Sequence, residues 1–334
     1  MDIKNKTILT GIKPSGQPHV GNYLGAIQPM VNLSDQASKS YFFIADYHAL
    51  NTLSPNQSLG DLVHLLAAQM IASGFDYKKH YLYRQSDIPE IFELQTIFNS
   101  FTPKGWMNKS HAYKAAVDLN RLNNKDVDNE VNMGLYNYPI LMAADILIFN
   151  TDLVPVGKDQ VQHVEIARDI ATRFNSRYKS DVIKLPNYYL KEEVKEVPGL
   201  DGRKMSKSYN NVIPLFATTE DWHNAVKKIV TDSKDNHTEE SIKDTVFYKI
   251  YSSISSNEQN KKIVDQLVNK TIGWREAKDE LLNIIIDRFQ KMSEDYFNII
   301  KDPALIDKIL KDNALLIQPQ AQDHLDKVKK VVGI

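Results

Sequence analysis

Thr10-Gly-Ile-Lys-Pro-Ser-Gly-Gln-Pro-His-Val-Gly-Asn-Tyr-Leu-Gly25 is the stretch on which the reading of the fold turns. Before it, Lys6-Thr-Ile-Leu-Thr10 has the short apolar, β-branched core of a strand. After it, Asn22-Tyr-Leu-Gly-Ala-Ile-Gln28 has the pattern of the first turns of a helix. A strand, a Gly/Pro/Ser turn and a helix in succession aim free backbone N–H groups at an anion. Gly11, Gly16 and Gly21 let the backbone approach a bulky ligand without a Cβ in the way. His19 and Asn22 fall where the helix opens, so both can face that ligand.

Downstream, the same rhythm repeats. Residues 41–45 read as a buried strand ending at Asp46-Tyr-His48. Residues 59–73 carry apolar positions at helical spacing and close at Gly74. Tyr81-Leu-Tyr83 reads as a third strand running into Arg84-Gln-Ser-Asp-Ile-Pro89, with a helix over 90–101. Val154-Pro-Val-Gly-Lys-Asp-Gln160 is again strand then polar turn, with a helix over 162–174. Strands alternating with helices predict an α/β fold, a doubly wound parallel sheet whose ligand site lies beyond the carboxyl ends of its strands. The polar candidates Lys13 to Asn22, Asp46, His48 and Gln85 to Asp87 all follow strands.

Composition narrows the classes. The 334 residues are enough for two domains, and 42% apolar with 25% charged is the balance of a globular protein. The net charge of −1 means that any nucleic-acid contact must come from a local basic patch. No cysteine is present, which excludes disulfides and thiol chemistry and points to a reducing compartment. No run approaches a membrane span or the core of a signal peptide, so a cytoplasmic protein is expected.

Two further stretches carry chemistry. Tyr138-Pro-Ile-Leu-Met-Ala-Ala-Asp-Ile-Leu-Ile-Phe149 is the most apolar run and contains one carboxylate. As a helix it places Tyr138, Met142 and Asp145 on one side. A buried carboxylate without a partner is costly, so Asp145 has a specific donor, which spacing leaves open between protein and ligand. Pro198-Gly-Leu-Asp-Gly-Arg-Lys-Met-Ser-Lys-Ser-Tyr-Asn-Asn211 holds three cations (Arg203, Lys204, Lys207) and two hydroxyls (Ser206, Ser208) in a glycine-rich loop. A Lys–phosphate pair at about 4 Å is worth roughly 4 kcal/mol at an effective dielectric near 20. Contacts of that kind, formed as charge moves onto a leaving pyrophosphate, lower a barrier.

Pro18-His-Val-Gly-Asn22 together with Lys204-Met-Ser-Lys-Ser208 resembles the paired signatures of class I aminoacyl-tRNA synthetases. Pro14-Ser-Gly16, Asn22-Tyr-Leu-Gly25, Gln85-Ser-Asp-Ile-Pro89, Leu141-Met-Ala-Ala-Asp-Ile-Leu147 and Val154-Pro-Val-Gly-Lys-Asp-Gln-Val-Gln-His163 resemble the tryptophanyl branch in its bacterial form. The likeness is strong over residues 8–216, with an echo in Gly273-Trp-Arg-Glu-Ala-Lys278.

The resemblance implies a Rossmann-like catalytic domain over 1–200 and a mobile Lys-Met-Ser-Lys-Ser loop over 201–216. It further implies a helical anticodon-binding domain over 217–300 and C-terminal helices over 301–334, whose packing back on the catalytic domain is left open. L-Tryptophan and Mg-ATP would give tryptophanyl-adenylate and pyrophosphate, and tRNA(Trp) would then accept the amino acid on a homodimer. No metal ligand set is expected, magnesium travelling on the ATP phosphates. His19, Asn22, Lys204 and Lys207 would do the catalytic work. ATP would further touch Lys13, Pro14, Ser15, Gly16, Gly21, Gly157, Asp159, Met205, Ser206 and Ser208. Asp145 would accept the indole N–H and Met142 would pack on the ring. Tyr138 and Gln160 would hold the ammonium group, with Gly11, Val156 and His48 completing the slot.

The sequence also departs from the family. Lys13 stands where Gln is usual, which places a cation beside the expected adenylate phosphate or substrate carboxylate, and it is expected to join in binding one of those anions. Leu200-Asp-Gly-Arg203 and the Gln-Pro-Gln within 313–322 are likewise unusual.

Beyond residue 218 helical patterns take over, at 221–230, 241–251, 258–269, 274–291 and 321–332. Lys227, Lys228, Lys234, Lys261, Lys262 and Lys270 lie there among acidic residues, and no base-reading residue can be named from them. Residues 120–132, rich in Asn and Asp, read as a mobile loop. Three rival readings stand beside this one: a tyrosyl-tRNA synthetase, a small-molecule nucleotidyltransferase, and a non-catalytic tRNA- or tryptophan-binding relative.

Overall fold

In the computed structural model, which describes residues 3–190, 197–231 and 237–334, the opening strand is β1 (Thr7–Ile12). Beside it run β2 (Lys39–Ile44), β3 (Tyr81–Arg84), β4 (Leu153–Val156) and β5 (Asn187–Leu190), all parallel, in the order β3-β2-β1-β4-β5. Side chains alternate along the strands. Phe42, Ile44 and Leu82 join the core on one face, while Tyr41, Phe43 and Tyr83 join the core on the other.

The crossovers are helical. α1 (Val20–Asn22), a π-helical turn (Tyr23–Ile27) and α2 (Gln28–Gln36) run on without a break, so the first helix carries a local bulge that its sequence pattern does not announce. A short α3 (Asp46–Ala49) precedes α4 (Leu59–Ala72). Gly74, with φ +96°, ends α4 in the left-handed region, as its sequence position leads one to expect. α5 (Glu90–Asn99), α6 (Lys104–Met107), α7 (His111–Leu122) and α8 (Met133–Leu147) lie between β3 and β4, and α9 (Val161–Tyr178) follows β4. The polar loop after α7 is tied down by Asn120 Nδ2, which donates to the carbonyls of Val127 and Asn129.

The helical remainder differs from its pattern in two places. The helix expected over 241–251 is two helices, α11 (Glu239–Asp244) and α12 (Val246–Ile254), following α10 (Thr219–Lys227). Thr245 separates them because its hydroxyl caps Tyr248 N at 3.1 Å. After α13 (Asn257–Val268) and α14 (Trp274–Ile299), α15 (Pro303–Val332) begins well before residue 321 and runs straight through Pro319.

A proline inside a helix costs about 3 kcal/mol. Packing against the sheet offsets it. Asn313 Oδ1 accepts the Leu82 N–H on the edge strand β3, Gln318 donates to Glu90, and Gln320 Oε1 accepts the Tyr41 hydroxyl. α15 thereby covers an edge that would otherwise present open N–H groups. On the opposite face, Ser293 of α14 bonds both N and O of Ala217, which ties the helical remainder to the chain leaving the lysine loop.

Candidate active site

All the strands are parallel, so their carboxyl ends gather on one edge of the sheet, and the turns after β1 to β4 lie along it. After β1, Gly16 takes φ +80°, a conformation that favours glycine, and turns the chain toward the helix. His19 and Asn22 then cap each other. His19 Nδ1 accepts Asn22 N at 3.1 Å, and Asn22 Oδ1 accepts His19 N at 3.2 Å. Burial, with Lys207 close by, lowers His19 to about 4, so the ring is neutral. With Nδ1 used as an acceptor, the proton sits on Nε2, and the capping box has set the tautomer that can donate to an oxygen.

The lysine loop reaches this corner from about 190 residues downstream. Val20 N donates to Ile213 O at 2.9 Å and Leu215 N to Pro18 O at 3.2 Å, so the exit of the loop pairs with the corner as a short antiparallel bridge. A β-carbon on Gly16 would lie 3.6 Å from Lys207 Nζ, and one on Gly21 would lie 3.5 Å from Met205 Sδ. The two signatures therefore meet. Partial desolvation lowers the Lys207 ammonium from its ordinary value.

Asn211, buried and absent from the sequence-based candidates, is the hub of the loop. Its Oδ1 accepts Ser206 N at 2.8 Å, and its Nδ2 donates to Asp201 Oδ1 at 2.7 Å and Lys204 O at 3.1 Å. The hydrogen bond from Asn211, aided by Arg203, holds Asp201 down at about 2. Arg203, read from sequence as a third anion-seeking cation, instead pairs with Asp201 at 2.6 Å and lies over the Tyr209 ring at 4.5 Å. The Ser206 and Ser208 hydroxyls bond each other at 2.8 Å.

The second half of the site is sealed. Asp145 on α8 has no exposure at all. Gln85 Nε2, just past β3, donates to both of its oxygens at 2.9 and 3.0 Å, and His48 Nε2, on α3, lies 2.9 Å from Oδ2. The donors that spacing left open thus include two from the protein. Three of roughly four lone-pair positions are taken, leaving acceptor capacity for one more N–H. Burial raises the Asp145 carboxyl, against the opposing pull of His48 and Gln85.

The neighbouring Asp46, also raised by burial, has a different task. It accepts Ser86 Oγ at 2.5 Å and Ser86 N at 3.1 Å, latching the turn after β2 to the turn after β3. Tyr138, Met142 and Asp145 share one side of α8 as their spacing predicts, with Met142 half-buried against the core of that face. The Tyr138 hydroxyl lies 3.1 Å from His163 Nε2. Gln160, in the turn after Val156 and Gly157, bonds Asp159 at 3.0 Å. Beside Gly11, the Phe43 ring fills the space a side chain would need, 2.2 Å from where a β-carbon would sit. Lys13 is exposed, and Pro14 and Ser15 follow it on the same turn.

Asn211, His163 and Phe43 brace the candidate site through these contacts, and the sequence assigns them no role. Gln85 stands among the polar candidates only by its place directly after a strand, and its bond to Asp145 has no local signal.

Comparison with known proteins fits this geometry. The family model of class I tRNA synthetases for W and Y matches residues 2–290. A tryptophan–tRNA ligase of Bordetella parapertussis is 44% identical over 332 residues, covering 99% of this chain and 73% of that protein. One from Neisseria meningitidis serogroup A is 41% identical over 334 residues, covering 99% of each. Among solved structures, the tryptophanyl-tRNA synthetase of Campylobacter jejuni complexed with ADP and tryptophan superposes with a TM-score of 0.87 at 35% identity, covering 98% of this chain and 100% of that one. The chain belongs to the tryptophan–tRNA ligase family of class I tRNA synthetases.

Proposed function

We propose that the protein joins L-tryptophan to tRNA(Trp) in two steps, activating the amino acid with Mg-ATP and then transferring it to the terminal ribose of the tRNA. The observation that carries the reading is the backbone bridge between Pro18-His-Val20 and residues 213–215, which holds two anion-binding elements against each other.

In the first step a tryptophan carboxylate oxygen attacks the α-phosphorus and pyrophosphate leaves. Lys207 and Lys204 stabilise the charge that builds on the leaving group. His19 donates from Nε2 to the nucleotide, and Asn22 keeps that ring in place. Lys13, Pro14, Ser15 and Gly16 border the phosphates with Ser206 and Ser208. Gly21, Met205, Gly157 and Asp159 border the nucleoside. Magnesium, when present on the phosphates, draws off part of their negative charge. The side chains at the corner are cations and hydroxyls, which suit phosphate oxygens and leave the ion to ligands from ATP and water. Among the described residues no group of three or more His, Cys, Asp or Glu side chains could hold a metal.

Asp145 accepts the indole N–H with its remaining capacity. A phenyl ring offers no such donor and leaves a buried acceptor unpaired, which penalises phenylalanine beyond lost area. Met142 lies on the ring, Tyr138 and Gln160 take the ammonium group, and Gly11, Val156 and His48 bound the slot. In this reading the domains run over 1–200, 201–216, 217–300 and 301–334. The helices after residue 217 take the anticodon, in a homodimer spanned by the tRNA, and phosphate contacts supply affinity. Of the lysines in that part, Lys234 lies outside the described residues, and Lys262 pairs with Glu280 at 3.8 Å. No described helix is long and apolar enough to cross a membrane. The reaction is placed in the cytoplasm.

Exchange of labelled pyrophosphate into ATP tests the reading. Exchange that depends on tryptophan and is absent with tyrosine is expected. Exchange with tyrosine alone, or none with either, would refute it.

A further inference from the structure

Tyr138 does not stand alone at the mouth of the slot. Its hydroxyl meets His163, the third residue of α9, whose Nε2 lies 3.1 Å away with the two rings edge to face at 5.2 Å. His163 is 4% exposed, so it is shut off from bulk solvent. Its other nitrogen, Nδ1, is buried and has no hydrogen-bond partner. An apolar ring would fill this place without leaving a polar atom unpaired, so the residue type calls for a reason.

Burial lowers His163 to about 4, and His111 and His48 push the same way against Asp159, so the imidazole is neutral. Burial also raises the Tyr138 phenol, which stays protonated. Two proton arrangements remain. With Nε2–H donating, the hydroxyl proton of Tyr138 points away from His163, toward the slot. With Tyr138 donating to Nε2, the lone pairs of its oxygen face the slot instead. Only the second arrangement suits a cation, and an arriving ammonium group selects it.

We infer that His163 is a positioning residue, accepting the Tyr138 hydroxyl proton so that the Tyr138 oxygen serves as an acceptor for the α-ammonium group of the substrate. This rests on the reading that Tyr138 contacts that group.

The test compares L-tryptophan with indole-3-propionate, which keeps ring and carboxylate and lacks the ammonium group, in the pyrophosphate-exchange assay. In His163→Phe the tryptophan KM is expected to rise about tenfold, as for loss of one charge-assisted hydrogen bond. The ATP KM, kcat and the inhibition constant of indole-3-propionate should stay within about twofold, well below that tenfold step. His163→Gln, whose amide oxygen can accept, should recover most of the loss. In a Tyr138→Phe background His163→Phe should add nothing.

Equal weakening of both ligands would show a packing role and overturn the inference, as would a full tenfold loss in the Tyr138→Phe background. If Tyr138→Phe itself leaves the tryptophan KM unchanged, the reading of Tyr138 fails and the inference with it. Should His163→Phe not fold, His163→Gln and His163→Ala carry the same comparison.

Discussion

The two halves of the site are held together in opposite ways. At the corner proposed to take the phosphates, Asn22, Lys204 and Lys207 are exposed while His19 is buried, and the scaffold is a capping box, a short backbone bridge between residues 18–20 and 213–215, and a loop folded around Asn211. In the proposed amino-acid slot the Asp145 carboxylate is fully buried and its oxygens are already engaged by His48 and Gln85. The exposed lysines of the first half carry little of the folding stability. The other is part of the core, and any change there is felt in both stability and selection.

That contrast fixes what each substitution should do. Lys207→Ala is expected to have the largest effect, a fall in kcat for tryptophan-dependent exchange of about a thousandfold, the scale for removing one preorganised transition-state contact. Its melting temperature should not change, because the ammonium has no carboxylate partner among the described residues. A lowered melting temperature would break the contrast on the phosphate side.

Asp145→Ala comes next. It leaves the His48 and Gln85 donors unpaired, and should cost about 3 kcal/mol of stability and about a hundredfold in tryptophan-over-phenylalanine selectivity. Denaturant melts and competitive exchange read the two effects. Retained selectivity would remove Asp145 from the recognition of the ring.

The smallest effect concerns the buried histidines away from the phosphates. His324 lies on the buried face of α15 with its Nδ1 3.2 Å from Asn150 Nδ2, and burial lowers it from 6.5 to about 4. The unfolded chain therefore binds a proton between these values that the folded chain refuses. Its contribution to stability is whole above pH 6.5 and is lost as the pH falls toward 4. His324→Gln should flatten the loss of stability between about pH 7 and pH 4.5 by roughly 2 kcal/mol, with unchanged activity at about pH 7.5. An identical slope in the variant would contradict the burial argument.

The same contrast explains what the sequence discloses. Strands β1 to β4 and the turns that carry His19, His48, Gln85 and Gln160 follow from local apolar runs, since a buried parallel strand writes its burial into consecutive residues. β5 is missed because Asn187–Leu190 is largely exposed and lacks such a run. The early half of α15 is missed because Pro319 reads as a breaker, while the bonds from Asn313, Gln318 and Gln320 that outweigh it reach residues at least 171 positions away. At the site, single residues with marked chemistry such as Lys207 and Asp145 stand out. Their supports, Asn211 and His163, are ordinary polar residues whose partners only the fold brings near.

The separation of the two halves is tested most directly by the ratio of kcat/KM for tryptophan to that for phenylalanine in Lys207→Ala, measured as single-turnover adenylate formation. If rate is supplied at the phosphate corner and choice in the buried slot, the ratio stays within about twofold of the parent while both rates fall by about a thousandfold. A ratio that collapses along with the rate would mean that the lysine loop takes part in choosing the amino acid, and the division of labour between corner and slot would be wrong.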